Sequence, residues 1–418
     1  MPSPSPGLWR HPDFMKLWTG QTISQFGSMI TRDGLPLTAV LVLRASPAQM
    51  GLLSAAGSAP VLFLGLLAGV WVDRLRRRPI MIAADLGRAL LLASIPAAFL
   101  LGRLTITHLY VVAALAGILT VFFDVAYRSF LPTLVQREHV VEGNSKLGMS
   151  DSLAEIVVPG LTGVLVQVIS APLTILFDAI SFLFSALFLG RIRAPEPPPA
   201  PGRAVQWRGL WHDIVEGLRL ALGNPLLRAL AGGTGTRDFF GGFYGALYGL
   251  YAIRELGIQP AVLGLLIASG GLGALVGAAV AAPVTRRFGL GPALTGSMII
   301  MGLLGLLIPL ASELRGLAVL LLLIPQVFGD LFLAVYTIAE LSLRQAITPD
   351  RMLGRVNASM NFVVGGVGTL GLLAGGFLGE TIGLRPAVWV AFLGVMLASL
   401  WLLFSPVRKL REQPVPLV

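Results

Sequence analysis

The sequence predicts an all-α membrane protein with twelve transmembrane helices, arranged as two six-helix halves related by a parallel repeat. Three observations predict it. Hydrophobic residues make up 55% of the 418-residue chain and charged residues only 12%, far from the composition of a soluble domain of this length. Lys and Arg concentrate in alternate loops between apolar runs. The second half of the chain repeats features of the first at an offset of about 213 residues, on either side of a Pro-rich segment near the middle.

Apolar runs place the spans at 17–43, 48–72, 79–101, 106–131, 144–169, 171–192, 226–253, 260–283, 291–312, 316–344, 353–380 and 384–405. Of the 31 Lys and Arg, 22 fall on the side that holds both termini, five on the other side, and four (Arg32, Arg88, Arg128, Arg237) within spans. Basic loops stay in the cytoplasm, so both termini are expected there. The net charge of +10 is then a matter of topology and requires no nucleic-acid partner. Cysteine is absent, which excludes a disulfide framework and thiol chemistry. Met1 to Lys16 is Pro/Ser-rich and shows no small-x-small cleavage site after a short apolar core, so an uncleaved first helix is expected.

The first span carries Arg32 and Asp33 near its middle. A charge at that depth costs at least roughly 2.5–3.5 kcal/mol on insertion scales. The pair is either an internal ion pair that fixes packing or part of substrate and proton handling. Span 2 ends in Gly65-x-x-x-Gly69, a pattern that lets helices approach closely. Asp85 and Arg88 share a face of span 3, and a structural pair is expected there. Asp124 and Arg128 on span 4, and Asp151 and Glu155 on span 5, are each spaced i, i+4. Span 6 carries Asp178, to which the sequence assigns no partner.

Arg193 to Gly209 reads as an extended linker. After it, Trp207, Leu210, Trp211, Ile214, Val215, Leu218 and Leu222 recur at helical spacing opposite charged residues. That pattern predicts a helix on the cytoplasmic interface, with an ordinary connector helix as the other reading. The expected division is therefore 1–192, linker 193–225, and 226–418. The repeat shows in His11-Pro12 against Asn224-Pro225, in Asp73-Arg74 near Thr285-Arg286, and in Val135 to Asn144 against Ile347 to Asn357. Arg237 and Asp238 lie in span 7, Asp330 and Glu340 in span 10, and span 11 is dense in glycine.

No phosphate-binding Gly-x-x-x-x-Gly-Lys-Ser/Thr loop is present, so ATP is not expected as an energy source. The four histidines (His11, His108, His139, His212) fall in loops or at span ends and make no metal set. No catalytic constellation, cofactor or metal is expected. Within the spans only Asp and Glu are left to carry a proton. The candidates nearest mid-membrane are Asp33, Glu155, Asp238 and Asp330. Glu155 is favoured because its i, i+4 companion is another acid, Asp151, with Arg32 and Asp33 as the switch.

The stretch Gly69-x-x-x-Asp73-Arg74-x-x-Arg77-Arg78 sits in a short loop between spans 2 and 3. It resembles the signature loop of the major facilitator superfamily, with Arg76 where that family usually has Gly. The opening His11-Pro12-Asp13-Phe14, the segment Leu131-Pro132-x-Leu134-Val135, and Thr348-Pro349-Asp350-x-Met352-Leu353-Gly354-Arg355-Val356-Asn357 resemble one branch of it. That branch holds the bacterial enterobactin exporter and macrolide-efflux-type proteins. Val158-Pro159-Gly160 resembles the Gly-Pro motif on helix 5 of the superfamily's antiporters, with Val158 in place of Gly. The resemblance implies the major facilitator fold and a monomer in the bacterial inner membrane. It implies export of a small amphipathic molecule in exchange for protons, with the lipid bilayer as its other partner. It also implies a cytoplasmic latch of Gly69, Asp73, Arg74, Arg77, Asp124 and Arg128. The coupling and binding set is Arg32, Asp33, Asp151, Glu155, Asp238 and Asp330. The alternative is a lipid or lysophospholipid flippase of the same fold.

This topology is directly testable in a chain without cysteine. Single cysteines at positions 44 and 202 are expected to label from opposite sides, 44 from outside intact cells and 202 only after permeabilisation. Labelling of position 202 from outside would overturn it.

Overall fold

Helix boundaries in the two halves of the chain fall 213 residues apart. The computed structural model describes residues 7–72, 74–135, 137–196 and 207–412, and among these every regular element is helical. The first half holds α1 (Pro12–Leu41), α2 (Pro47–Val72), α3 (Arg77–Leu100), α4 (Ile106–Leu134), α5 (Val140–Ile169) and α6 (Ala171–Gly190). A connecting helix, α7 (Trp207–Gly223), follows. The second half holds α8 (Pro225–Arg254), α9 (Pro260–Phe288), α10 (Leu290–Gly305) continued by α11 (Leu307–Leu310), α12 (Ala318–Ile324) joined to α13 (Asp330–Ile347), α14 (Asp350–Ile382) and α15 (Leu384–Leu403). Pro12 and Pro225, Leu41 and Arg254, Pro47 and Pro260, Arg77 and Leu290, Leu134 and Ile347, Ile169 and Ile382, Ala171 and Leu384, and Gly190 and Leu403 all differ by 213.

Among the described residues, ten segments are long and apolar enough to cross a membrane. The other two full-length helices, α1 and α8, have 30 residues each, and they carry Arg32–Asp33 and Arg237–Asp238. Their polar content, and not their length, sets them apart. In hydrocarbon the backbone must satisfy itself, which is why the spans are helices throughout.

The joints repeat as well. His11 caps α1, its Nδ1 accepting from Phe14 N–H at 3.1 Å. Asn224 caps α8, its Oδ1 accepting from Leu226 and Leu227 N–H at 2.8 and 3.1 Å. Proline follows each cap at the first helical position, where its missing N–H costs nothing. Arg44 and Gly257, again 213 apart, turn the chain with φ of 51° and 66°. Ser170 and Gly383 join α5 to α6 and α14 to α15 with φ of 95° and ψ of 152° and 161°.

The chain divides into two compact units, residues 1–45 with 56–205 and residues 46–55 with 206–418. The first is built on α1 against α6, α3 against α6 and α3 against α4. Its core gathers Phe14, Leu17, Met81, Phe123, Phe130 and Leu189. The Asp13 carboxylate ties the start of α1 to the chain leaving α6, accepting from Lys16 Nζ at 2.7 Å and from Ala194 N–H at 2.9 Å. Burial works against its charge, but these donors outweigh it and hold the carboxyl below its usual range.

In the second unit α8 packs against α14 and α15, and α13 against α9 and α10. Its core gathers Leu227, Leu230, Leu294, Met298, Tyr336 and Leu343. Helix α7 lies on α14 through Gly217, which leaves no room for a side chain beside Arg355 and Ser359. An ion pair between Glu216 and Arg355 fixes it there. The first nine residues of α2 belong to this unit, with Ala48 N–H donating to Glu380 Oε2 at 3.1 Å.

Ser170 occupies a backbone region that is almost confined to glycine and costs roughly 1–3 kcal/mol for other residues. Its hydroxyl is buried without a hydrogen-bond partner, so the side chain returns nothing for that strain. Ser170→Gly is expected to raise the thermal unfolding temperature of the purified protein, and Gly383→Ser to lower it. An unchanged or lower melting temperature for Ser170→Gly would contradict the strain.

Candidate transport site

In the second unit a cavity of about 240 Å³ opens between α8, α10 and α11, α13 and α15. Its position follows from a break in the helix that passes it. Pro325 has no N–H to continue the ladder, and Pro325–Gly329 winds as a π-helical segment between α12 and α13. Gln326 within this segment and Asp330 just after it, one turn apart, line the cavity together. Gln326 Nε2 donates to Asp330 Oδ2 at 2.6 Å, and the Tyr244 hydroxyl donates to Gln326 Oε1 at 3.5 Å. Tyr244 packs in turn at a tilt against Tyr248 and Phe392, ring centroids 4.6 and 5.2 Å away.

Arg237 and Asp238 complete the polar lining, the guanidinium meeting Asp238 Oδ1 at 2.5 Å. The guanidinium also lies over the Tyr336 ring, 5.1 Å from its centroid. Met301, Ile308, Leu333 and Val395 form the apolar wall. Helix α9 closes the back through Gly270, where a Cβ would run into the Asp330 carboxyl and the Gln326 amide. The result is a concave apolar site with a few convergent polar groups, the usual form of a small-molecule pocket. Deeper along the same helices Glu340 is buried beside Arg344 at 3.7 Å.

The first unit sets out its predicted residues differently. Arg32 Nε meets Asp33 Oδ1 at 3.4 Å, with the Arg32 side chain half exposed. Asp33 Oδ2 is buried with no hydrogen-bond partner. Asp151 and Glu155 are both exposed on α5 and lie in each other's field, and Asp151 and Asp124 both act on Tyr127 of α4. Asp124 feels Arg128 and Arg88, yet Asp124 and Arg128 do not close to a salt bridge here. Asp85 and Arg88 do close, at 2.5 Å.

Gly69 lies in the last turn but one of α2, and Arg74 follows that helix in the turn before α3. Asp73 falls outside the described residues. Among those that remain, the loop is fastened by contacts the sequence did not signal. Glu196, in the Pro-rich segment read as a linker, accepts from the Arg77 and Arg78 N–H groups at the start of α3. A carboxylate suits that position, since the first N–H groups of a helix lack partners and carry partial positive charge. Arg78 does the converse at the end of α6, its Nε donating to Leu189 O at 2.7 Å and its Nη2 to Gly190 O.

Two sets of six long helices, the second of which holds a polar-ended pocket, define a multi-pass membrane transporter. The family model of the major facilitator superfamily described as transmembrane secretion effector matches residues 5–416, and the chain belongs to that family. The multidrug efflux pump Tap of Mycolicibacterium fortuitum is 28% identical over 388 residues, covering 89% of this chain and 90% of that protein. A bacterial homologue of the iron transporter ferroportin, in its inward-facing crystal structure, matches with a TM-score of 0.74 at 18% identity, covering 95% of this chain and 99% of that one. A bacterial homologue of the human lysosomal transporter Spinster matches at 0.72 and 14%, covering 96% and 97%. At such identities the two structures establish a shared fold.

Gly270→Ala is expected to push Asp330 and Gln326 from their present positions and to lower transport severalfold while leaving the folded protein intact by size-exclusion chromatography. Wild-type transport in Gly270→Ala would separate Asp330 from the working site.

Proposed function

We propose that the protein exports a small amphipathic molecule across the bacterial inner membrane, with both termini in the cytoplasm, in exchange for protons. The observation that carries this reading is the cavity of the second unit. Its apolar wall of Met301, Ile308, Leu333 and Val395 suits a hydrophobic body, and its polar end of Asp238, Gln326 and Asp330 suits a polar or cationic group. The kinship with a multidrug efflux pump supports export and a broad substrate class. In this reading Arg237, Asp238 and Asp330 serve binding in the second unit, and Arg32, Asp33, Asp151 and Glu155 serve coupling in the first. Intramembrane ionisable residues of this kind mark substrate and proton paths. Gly69, Asp73, Arg74, Arg77, Asp124 and Arg128 form the cytoplasmic latch, the protein works as a monomer, and neither ATP nor a cofactor takes part.

The test is uptake into everted vesicles, with and without an imposed pH gradient, of a panel of cationic, neutral and anionic dyes and a labelled lysophospholipid. Gradient-driven uptake is expected for cationic amphipathic dyes and is expected to fall at least about tenfold in Asp330→Asn, on the scale of one buried charge-assisted contact. Glu155→Gln is expected to lose the gradient dependence and keep dye exchange. Uptake of the lysophospholipid alone would replace this reading by lipid flipping, and unchanged gradient-driven uptake in Glu155→Gln would transfer coupling to Asp33.

A further inference from the structure

The first unit buries a charged cluster that the transport site does not use. Asp85 and Arg88 of α3 and Asp178 of α6 are 0%, 5% and 1% exposed. The Arg88 guanidinium binds Asp85 Oδ1 at 2.5 Å and reaches the Thr120 hydroxyl at 3.4 Å. The guanidinium also lies over two rings, 4.1 Å from the centroid of Phe182 and 4.4 Å from that of Phe123. Asp178 Oδ1 accepts from the Ser181 hydroxyl at 3.1 Å, and the charges acting on it are Arg88 and Asp85. From α1 it meets Thr31, and Gln21 reaches Ser185 of α6 at 3.4 Å. From α4, Asp124 adds its field to Arg88.

The charges do not balance. Arg88 stays protonated in any protein environment, so two ionised carboxylates leave the cluster with one uncompensated negative charge. Asp85 Oδ2 is moreover buried with no close hydrogen-bond partner, with the Ser185 side chain of α6 acting on the carboxyl group. An unpaired charge in a dry interior is strongly unfavourable, and a carboxylate so placed takes up a proton instead. One proton neutralises the set.

Packing alone does not require these residues. The positions 213 residues on are Met298, Met301 and Ala391. They lie on α10 and α15, the counterparts of α3 and α6, and Met298 and Ala391 are fully buried. The second unit therefore builds the same helix contacts from apolar side chains. The closure over the site also differs between the units. In the first, α1 meets α6 through Gly20, Gly27 and Gly34, and Gly27 presses directly on Asp178 and Ser181. In the second, the counterparts of Gly27 and Ser181 are Phe240 and Gly394, so a ring fills the seam. Of these two equivalent seams, α1 with α6 and α8 with α15, the first is the one that sets a glycine against a carboxyl group.

We propose that the Asp85–Arg88–Asp178 cluster is a proton-binding site that holds one proton while the seam between α1 and α6 is closed and releases it to water when α1 moves away. The proton sits on a carboxyl oxygen as an O–H bond, and its loss leaves the carboxylate to be solvated by the entering water. The assignment of this proton to the transport cycle rests on the antiport reading above. The cluster is distinct from Glu155, which is exposed on α5.

The test uses the purified full-length protein and two readouts. Infrared spectra near neutral pH are expected to show the carbonyl stretch of a protonated carboxyl group that disappears in Asp178→Asn or Asp85→Asn. In liposomes, uptake of ethidium driven by a pH gradient is expected to fall in Asp178→Asn to the rate seen without a gradient, with ethidium exchange preserved. The triple variant Asp85→Met, Arg88→Met, Asp178→Ala copies the second unit and is expected to fold and to behave likewise. A wild-type spectrum without such a band, or a band unchanged in both single variants, would overturn the site. If the band is lost in the variants and gradient-driven uptake is wild-type in Asp178→Asn, the proton is bound but uncoupled, and the proposed release during transport is overturned. A wild-type protein that ignores the gradient would refute the antiport reading and with it the transport role, while the infrared band still decides proton binding.

Discussion

Everything in this structure depends on the refusal of hydrocarbon to hydrate a polar group. The backbone answers by being helical across every span. The side chains answer by finding partners inside their own unit: Arg88 for Asp85, Asp238 for Arg237, Gln326 for Asp330, Thr234 for Tyr336. Where a partner is missing, as at Asp33 Oδ2 and Asp85 Oδ2, the molecule holds a group whose state depends on whether water can reach it. In the proposed exchange of substrate for protons, such groups are the ones that bind and release the proton.

The same constraint explains how much could be read from the chain. Spans, loop charges and the 213-residue repeat are long-range patterns of hydropathy, and helix ends such as Pro12 and Pro225 follow from local caps. The pairing of Asp85 with Arg88 was legible because helical geometry alone brings residues three apart together. Asp178 was not, because its neighbours come from α3 and α1, across contacts that no spacing encodes. Glu196 was hidden in a Pro-rich stretch whose composition speaks only of an extended chain, although it fastens the start of α3. The π-helical segment at Pro325 had a visible signal, a proline with Gln326 and Asp330 close behind it, but its effect on the register shows only in three dimensions.

The two units share boundaries and joints yet diverge in what they bury. The second spends its interior on a cavity walled by Met301, Ile308 and Phe392. The first buries Arg88 at the counterpart of Met301 and pairs it with Asp85. A repeat that keeps its helix ends and changes its filling allows one copy to specialise in holding a molecule and the other in sensing protonation, with no change in architecture.

The spacing of Gly20, Gly27 and Gly34 adds a geometric consequence. A straight helix drifts by about 20° per heptad, so a stripe recurring every seven residues stays against one neighbour only when the two helices wind gently left-handed around each other. Helices wound in this way come apart like a zip, from an end, because the middle of the contact is held on both sides. Asp178 lies under the central glycine of the three. Fraying at either end of the seam leaves it dry, and only a separation that travels past the first glycine exposes it. Under the proposed release, this placement makes wetting a threshold event, insensitive to small thermal motions and responsive to one large displacement.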